Sequence, residues 1–158
     1  MLPEQILKLP NNFLQKLRKL YPDRFDDIAG TFLKKKVSSF RINYNKTDLV
    51  SLRNDLSKAH IKYEELDFPK GAFLLKSDMR VLQNTNLYTQ GHIYVQNVSS
   101  MLPVLVLDPQ NGERILDMCA APGAKTSQII SLAPQADVEA FEKNRVRFYK
   151  LMTTVKTQ

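Results

Sequence analysis

The chain has 158 residues, 43% of them hydrophobic, which is the composition of one folded domain or two small ones and excludes a disordered tail. No apolar run reaches the roughly 18 to 20 residues needed to cross a bilayer, and the start MLPEQILKLP lacks the apolar stretch of a secretory signal, so no membrane partner and a cytoplasmic location are expected. The single cysteine, Cys119, excludes an intrachain disulfide and suits a reducing compartment. Lys and Arg number 23 against 16 Asp and Glu, for a net charge of +7, and residues 1–43 hold nine of the basic side chains and four of the acidic ones. That footprint suits a polyanion such as RNA, because each cation near a phosphate releases counterions; a solvated, solubilising face is the plain alternative.

In chain order, Phe13, Leu14, Leu17, Leu20 and Tyr21 recur at helical spacing after Asn11 and Asn12, two good cap residues, and Pro22 closes the segment. A second helix is predicted from about Asp23, with Phe25, Ile28, Phe32 and Leu33 inward. It ends in Lys34, Lys35 and Lys36, which suit either a helix C-terminus or an RNA contact. Residues 39–43 alternate like a strand, residues 48–60 return to a helical period, and residues 61–66 and 72–76 read as strands. Strand, helix, strand, turn, strand describes a small α/β sheet on which RNA can lie, although no aromatic RNP signature is present.

Residues 91–97 alternate again, and residues 98–107 read as a helix capped by Asn97 or Ser99. After Asp108 to Gly112 come a buried-looking strand over residues 114–119, a loop from Ala120 to Ala124, a helix from about Lys125 to Leu132, a strand over residues 138–141 and a helix over residues 145–155. Strand, helix, strand, helix opens a doubly wound sheet. The expected fold class is therefore α/β: a helical and small α/β (RRM-like) domain over residues 1–85, followed over residues 86–158 by the first part of a Rossmann-like sheet.

In such a sheet the ligand lies beyond the carboxyl ends of the strands, where loops and helix N-termini offer N–H groups and partial positive charge. Asp117 stands near the end of the first strand, the Pro122-Gly123 turn lets the backbone approach a ligand, and Glu142 ends the next strand 25 residues later, where it can accept ribose hydroxyls. The loop lacks the G-x-G-x-x-G of a dinucleotide site, and Ala124 between Gly123 and Lys125 breaks P-loop spacing. What remains is S-adenosylmethionine, with a nucleoside for Glu142 and a carboxylate for the helix N-terminus, or simply a buried strand and a tight turn. Lys125 reads as a carboxylate partner or a solvated helix residue, and Arg147 as pairing an acid or facing water.

Leu116-Asp-Met-Cys-Ala-Ala-Pro-Gly-Ala-Lys-Thr126 resembles the cofactor loop of the Sun family, whose members methylate cytosine C5 in ribosomal or transfer RNA. Tyr94 to Pro103 resembles the segment that family carries before its first strand, Ser39-Phe-Arg-Ile-Asn43 resembles its S-x-R-x-N strand, and the helical start with Phe13-Leu14 and Tyr21-Pro22 resembles bacterial enzymes that modify small-subunit ribosomal RNA. One departure is Ala124, where the family usually has a second glycine; a methyl fits if that residue is already helical.

The resemblance implies S-adenosylmethionine as cofactor, RNA (ribosomal before transfer) as partner, and Cys119, Ala120, Ala121, Pro122, Gly123, Ala124, Lys125 and Glu142 as the cofactor site. It also implies no catalytic residue within these 158, since the family nucleophile follows later strands, beyond Gln158, and Cys119 is not in its position. His60 and His92 are expected as surface or satisfied imidazoles. The chain alone is expected to be inactive, with an exposed sheet edge that makes its carboxyl-terminal part sticky or marginal and calls for a missing half or complementary chain. A non-catalytic RNA-binding or assembly protein, and a cofactor module without RNA, stay open beside the enzyme fragment.

Overall fold

The computed structural model describes residues 9–34 and 37–158, and these belong to two compact units, residues 1–36 and 37–158. In the first unit, α1 (Asn11–Leu20) and α2 (Phe25–Thr31) are joined by a 3-10 turn, Pro22–Arg24. Leu14, Phe25 and Ala29 form its small core, with Leu9 and Leu17 against them. Pro22 starts the turn rather than simply ending a helix, as expected of a residue with fixed φ and no N–H at a first helical position. The predicted second helix is shorter than its period suggested: it stops at Thr31, and Phe32 and Leu33 are exposed rather than inward, Phe32 meeting Phe13 edge-on at 5.6 Å. Lys34 lies past the helix end, and Lys35 and Lys36 are outside the described residues.

The second unit opens with β1 (Ser39–Ile42), α3 (Leu49–Lys58), β2 (Tyr63–Glu65) and β3 (Ala72–Leu75), continues through two short helices, α4 (Met79–Gln83) and α5 (Asn86–Thr89), and reaches β4 (Ile93–Val95). The strand order is β2-β3-β1-β4, each neighbour antiparallel, with Phe40 opposite Phe73 and Val95. Since β1 and β2 are both antiparallel to β3 between them, they run parallel to each other. This is the split βαβ arrangement of RRM-like domains, as the order of periods predicted.

α4 and α5 had no expected counterpart. Their signals are local: Asp78 accepts from the Arg80 N–H and Thr85 from the Tyr88 N–H, both N-caps. Because β4 pairs with β1, the small sheet reaches past residue 85, where the sequence placed the domain boundary; an antiparallel neighbour distant in sequence leaves no mark on local period.

One face of this sheet buries Phe40, Ile42, Phe73 and Leu75 against Leu52 and Leu56 of α3, with Phe40 and Phe73 stacked at 5.1 Å. Asp48 caps α3 through its carboxylate to the Val50 and Ser51 amides. The opposite face of β1 is also covered, since all four of its residues are buried. A sheet covered on both sides offers no platform for stacked bases at β1, so the open RNA-lying face suggested by the strand pattern is absent there.

The covering elements are α6 (Val98–Leu107) and α7 (Ala124–Leu132), which flank β5 (Arg114–Asp117); β6 (Asp137–Ala140) and α8 (Arg145–Thr157) follow. β5 and β6 pair in parallel with Leu116 beside Glu139 and Asp117 beside Ala140, giving the strand-helix-strand-helix opening predicted for a Rossmann-like sheet. β5 ends at Asp117, two residues before the predicted end, and Met118 and Cys119 already belong to the turn. Asn97 occupies the cap of α6 without a side-chain bond. Among the described residues β5 pairs with β6 alone, and its exposed Leu116 and neighbouring Met118 border a groove of about 600 Å³ shared with Val104 and Leu107 of α6.

Candidate cofactor site

Parallel pairing of β5 and β6 brings Asp117 and Glu142 to the same end of the sheet, and the loop between β5 and α7 lies across that end. Three backbone bonds fix the loop. Phe141 donates to the Asp117 carbonyl at 2.8 Å, Ala120 donates to the Phe141 carbonyl at 3.0 Å, and Gly123 donates to the Ala120 carbonyl at 2.7 Å. Asp117 finishes the wiring with its side chain: Oδ2 accepts from the Thr126 hydroxyl at 2.7 Å and Oδ1 from the Cys119 N–H at 3.3 Å. The strand-end acid thus ties the turn to the first turn of α7.

Ala124 is the first residue of α7, so the methyl that departs from the family's usual glycine sits where a side chain is allowed. Gly123 has φ +105°, a conformation that favours glycine. A Cβ there would meet Thr154 Cβ and Cγ2 at 3.0 Å and Leu151 Cδ1 at 3.1 Å. The missing side chain therefore serves close packing of the turn against α8, where the sequence suggested backbone approach to a ligand. The first amide of the helix with a carbonyl partner is that of Ser127, which donates to Gly123 at 2.8 Å. The amides of Ala124, Lys125 and Thr126 are the unsatisfied donors of a first helical turn. Cys119, Pro122 and Lys125 are exposed, whereas Ala120 and Ala121 are buried beside Leu151. Lys125 makes none of the described ion pairs and borders the β5 groove with Asp117.

Glu142 follows β6 with its side chain 5% exposed. Oε1 accepts from the Asn144 N–H at 2.8 Å, and Oε2 lies 3.3 Å from Arg147 Nη1. A carboxylate has about four acceptor positions, so each oxygen retains one. The other end of the same guanidinium, Nη2, donates to the Ala121 carbonyl at 2.6 Å. Arg147 thereby links the loop after β5 to the acid after β6. Both readings of that residue left it outside the site; its position in the first turn of α8, five residues beyond the acid, is the signal that marks it.

Arg41 on β1 is a second arginine to which the sequence assigns no role. It is 4% exposed, and no carboxylate is among its partners. Nε donates to Gln96 Oε1 at 2.9 Å, Nη2 to Ser127 Oγ at 2.9 Å and to the Ala124 carbonyl at 3.4 Å, and the guanidinium carbon lies 5.2 Å from the Tyr94 ring centre. Burial pushes its pKa down to about 10, partly offset by Tyr94, so it stays charged at neutral pH. The flanking residues of the same motif are buried too. Ser39 donates to the Gln96 carbonyl at 2.6 Å and Asn43 to the Gly91 carbonyl at 3.0 Å. The signal in the sequence was a lone cation on the polar side of an alternating strand. His92, expected to be exposed or satisfied, keeps a buried Nδ1 with no partner among the described residues.

Gln158, the position beyond which the resemblance puts the nucleophile, caps the end of α8 and packs against the small sheet instead of the loop between β5 and α7. Its backbone carbonyl accepts from Asn43 Nδ2 at 2.6 Å, and its Nε2 donates to the Ile93 carbonyl at 3.3 Å. Gln158 therefore helps to tie α8 to β1 and β4, a structural role that the sequence did not suggest because both partners are more than 60 residues away.

An RRM-like sheet joined to the opening strands of a parallel sheet, with an acid at each strand end and a tight loop between them, defines the front part of a Rossmann-like methyltransferase. Residues 9–98 match the family described as the N-terminal domain of 16S rRNA methyltransferase RsmF, and residues 104–157 match 16S rRNA methyltransferase RsmB/F. The chain belongs to the RsmB/F family. It is 32% identical over 142 residues to ribosomal RNA small subunit methyltransferase B of Pasteurella multocida, covering 90% of this chain and 31% of that protein. With the same enzyme of Escherichia coli O17:K52:H18 it shares 31% identity over 149 residues, 93% of this chain and 34% of that protein. The chain spans about a third of the length of these relatives.

Among solved structures it is similar to a methyltransferase homolog protein from Pyrococcus horikoshii, with TM-score 0.85 and 28% identity over 99% of this chain and 53% of that one. NSun6 from the same organism, solved with SFG, shares the fold with TM-score 0.81 and 16% identity over 94% of this chain and 62% of its own. No helix among the described residues is long and apolar enough to cross a membrane.

Proposed function

We propose that the chain forms the S-adenosylmethionine-binding front of an RNA cytosine-C5 methyltransferase acting on ribosomal RNA, and that it does not carry out methyl transfer by itself. The observation that carries this reading is the placement of Asp117 and Glu142 at the same end of two parallel strands, with the loop after the first strand fixed by hydrogen bonds. The residues fit the group. Glu142 has an open acceptor position on each oxygen for the ribose hydroxyls. The free first-turn amides of α7 and the exposed ammonium of Lys125 suit the amino-acid carboxylate. Residues Cys119, Ala120, Ala121, Pro122, Gly123 and Ala124 form the wall along the ribose and methionine end. The SFG found with NSun6 is an analogue of the same cofactor, which favours this chemistry. Ribosomal RNA is favoured over transfer RNA by the names of the relatives.

When bound, the cofactor supplies an electrophilic methyl group. The work of this chain's residues is to hold the nucleoside by its ribose, to pair its carboxylate and to fix the sulfur against the sheet end. Methylation at cytosine C5 needs a nucleophile, best a thiolate, to add at C6 first. The chain's single thiol, Cys119, is exposed within the cofactor loop, donates its backbone N–H to Asp117, and belongs to the wall rather than to a substrate-facing loop.

Equilibrium dialysis with S-adenosylhomocysteine, together with tritium transfer from labelled cofactor to ribosomal RNA, tests both halves. Binding that falls about tenfold or more on Glu142→Ala, with no tritium incorporated, is expected. Undiminished binding by that variant overturns the site, and tritiated 5-methylcytosine formed by the purified chain overturns the inactivity. RNA binding that survives loss of both Glu142 and Lys125, without cofactor binding by the parent chain, supports an assembly or RNA-binding role instead.

A further inference from the structure

A buried cation with no counter-ion is costly to fold, and Arg41 sits in a position that makes it more so. Its Nη2 reaches the first turn of α7, the positive end of that helix's dipole, where a cation is disfavoured. An apolar side chain of similar volume is commonly as stable or more stable in such a place. What the guanidinium offers instead is a rigid fork with donors in set directions. One arm holds Gln96, just after β4, and the other holds Ser127 and Ala124 of α7.

The partners pass the constraint on. Ser127 Oγ donates to the Gly123 carbonyl at 2.7 Å, so Arg41 is two hydrogen bonds from the glycine of the loop. Gln96 Nε2 donates to Gln128 Oε1 at 3.0 Å and to the Ser100 carbonyl at 2.9 Å, and Gln128 Nε2 donates to the Met101 carbonyl at 3.0 Å. Gln96, Ser127 and Gln128 are each at most 5% exposed. A satisfied buried network of this kind has one arrangement, and each member fixes the next.

We propose that Arg41 is a positioning residue: from the small sheet it sets the place of the first turn of α7, and through Ser127 and Gly123 the place of the loop between β5 and α7. The four-stranded sheet and that loop then form one mechanical piece, and a load on the sheet is felt at the loop. The geometry stands by itself; its meaning for cofactor binding rests on the reading of the loop given above.

The test reads the loop directly. Amide exchange is followed by NMR in the whole chain for Ala120, Gly123 and Ser127, whose N–H groups hold the loop closed, and for Leu52 and Leu56 in the core. Two variants are compared with the parent: Arg41→Lys, which keeps the charge and loses the fork, and Ser127→Ala, which removes the relay with little change of volume. Exchange at the three loop amides should rise about tenfold in both while the two core amides keep their rates.

Unchanged loop rates in Ser127→Ala, or loop and core rising together in either variant, overturn the proposal; if Arg41→Lys does not fold, Ser127→Ala decides. S-adenosylhomocysteine is titrated into the same samples. Loop loosening with about tenfold weaker binding supports both the positioning role and the cofactor reading. Loop loosening in a chain whose parent form binds no S-adenosylhomocysteine keeps the positioning role and overturns the cofactor reading alone.

Discussion

Arg147 Nη1 lies 3.3 Å from Glu142 Oε2, and the two side chains differ in burial: that of Glu142 is 5% exposed and that of Arg147 53%. The acid is therefore held in place by a partner that itself faces water on one side. The other arm of Arg147, on the Ala121 carbonyl, makes the pair a brace between two loops rather than a surface ion pair. Arg147→Lys, which keeps the charge but cannot span both acceptors, should weaken S-adenosylhomocysteine binding by about tenfold, or on the order of 1 kcal/mol once half-exposure is allowed for. Isothermal titration of parent and variant measures this, and equal affinities would show that Glu142 needs no brace.

Three glycines should respond differently to alanine. Gly123→Ala combines φ +105° with contacts of 3.0 Å to Thr154 and should cost about 2–4 kcal/mol. Gly112→Ala keeps φ +86° in open space and should cost only about 1 kcal/mol. Gly30→Ala, inside α2 with nothing near its would-be Cβ, should stabilise the first unit by about 0.5–1 kcal/mol. Urea unfolding of the three variants measures the order.

Leu56 is fully buried between α3 and the small sheet. Leu56→Ala should destabilise the second unit by about 2–5 kcal/mol, because the stacked Phe40 and Phe73 cannot collapse into the space left. A lowered denaturation midpoint with an unchanged m-value is the expected result, measured by circular dichroism in urea.

Acid should remove one identifiable contribution. Glu65 is paired with Arg53 through two bonds of 2.8 and 2.9 Å, and the hydrogen bond to Arg53 holds its carboxyl below the usual range. A carboxylate whose folded pKa is depressed gives stability that is present above its unfolded value of about 4.3 and lost as pH falls through the folded value. Arg53→Gln should therefore flatten the fall in stability below about pH 4 relative to the parent. Thermal melts from pH 6 to 3 measure it, and parallel curves for the two proteins would rule the pair out as a source of acid sensitivity.

The loop and the two strand-end acids were legible in the sequence as far as local rules reach. Strand, loop and helix around Leu116 to Thr126 follow from period and turn chemistry, and Glu142 follows from the position of the next strand. Arg147 and Arg41 were less legible because their roles depend on what lies opposite them. Arg147 acts through the carbonyl of Ala121, 26 residues earlier, and Arg41 through Ser127, 86 residues later. Gly123 was recognised as a special turn, but only the position of Thr154 shows that the glycine makes room for α8.

The sequence by itself determined the alternation of helix and strand, the RRM-like order, the opening of a parallel sheet and the acids at its strand ends, because hydrophobic period, caps and turn residues are properties of neighbours along the chain. Tertiary structure alone decided that β4 completes the small sheet, that the second face of β1 is covered by α6 and α7, and that Arg147 bonds to the loop after β5 and Arg41 to the first turn of α7. Those facts are set by contacts between residues dozens of positions apart, where packing and buried hydrogen bonds choose among partners that local periodicity leaves equivalent.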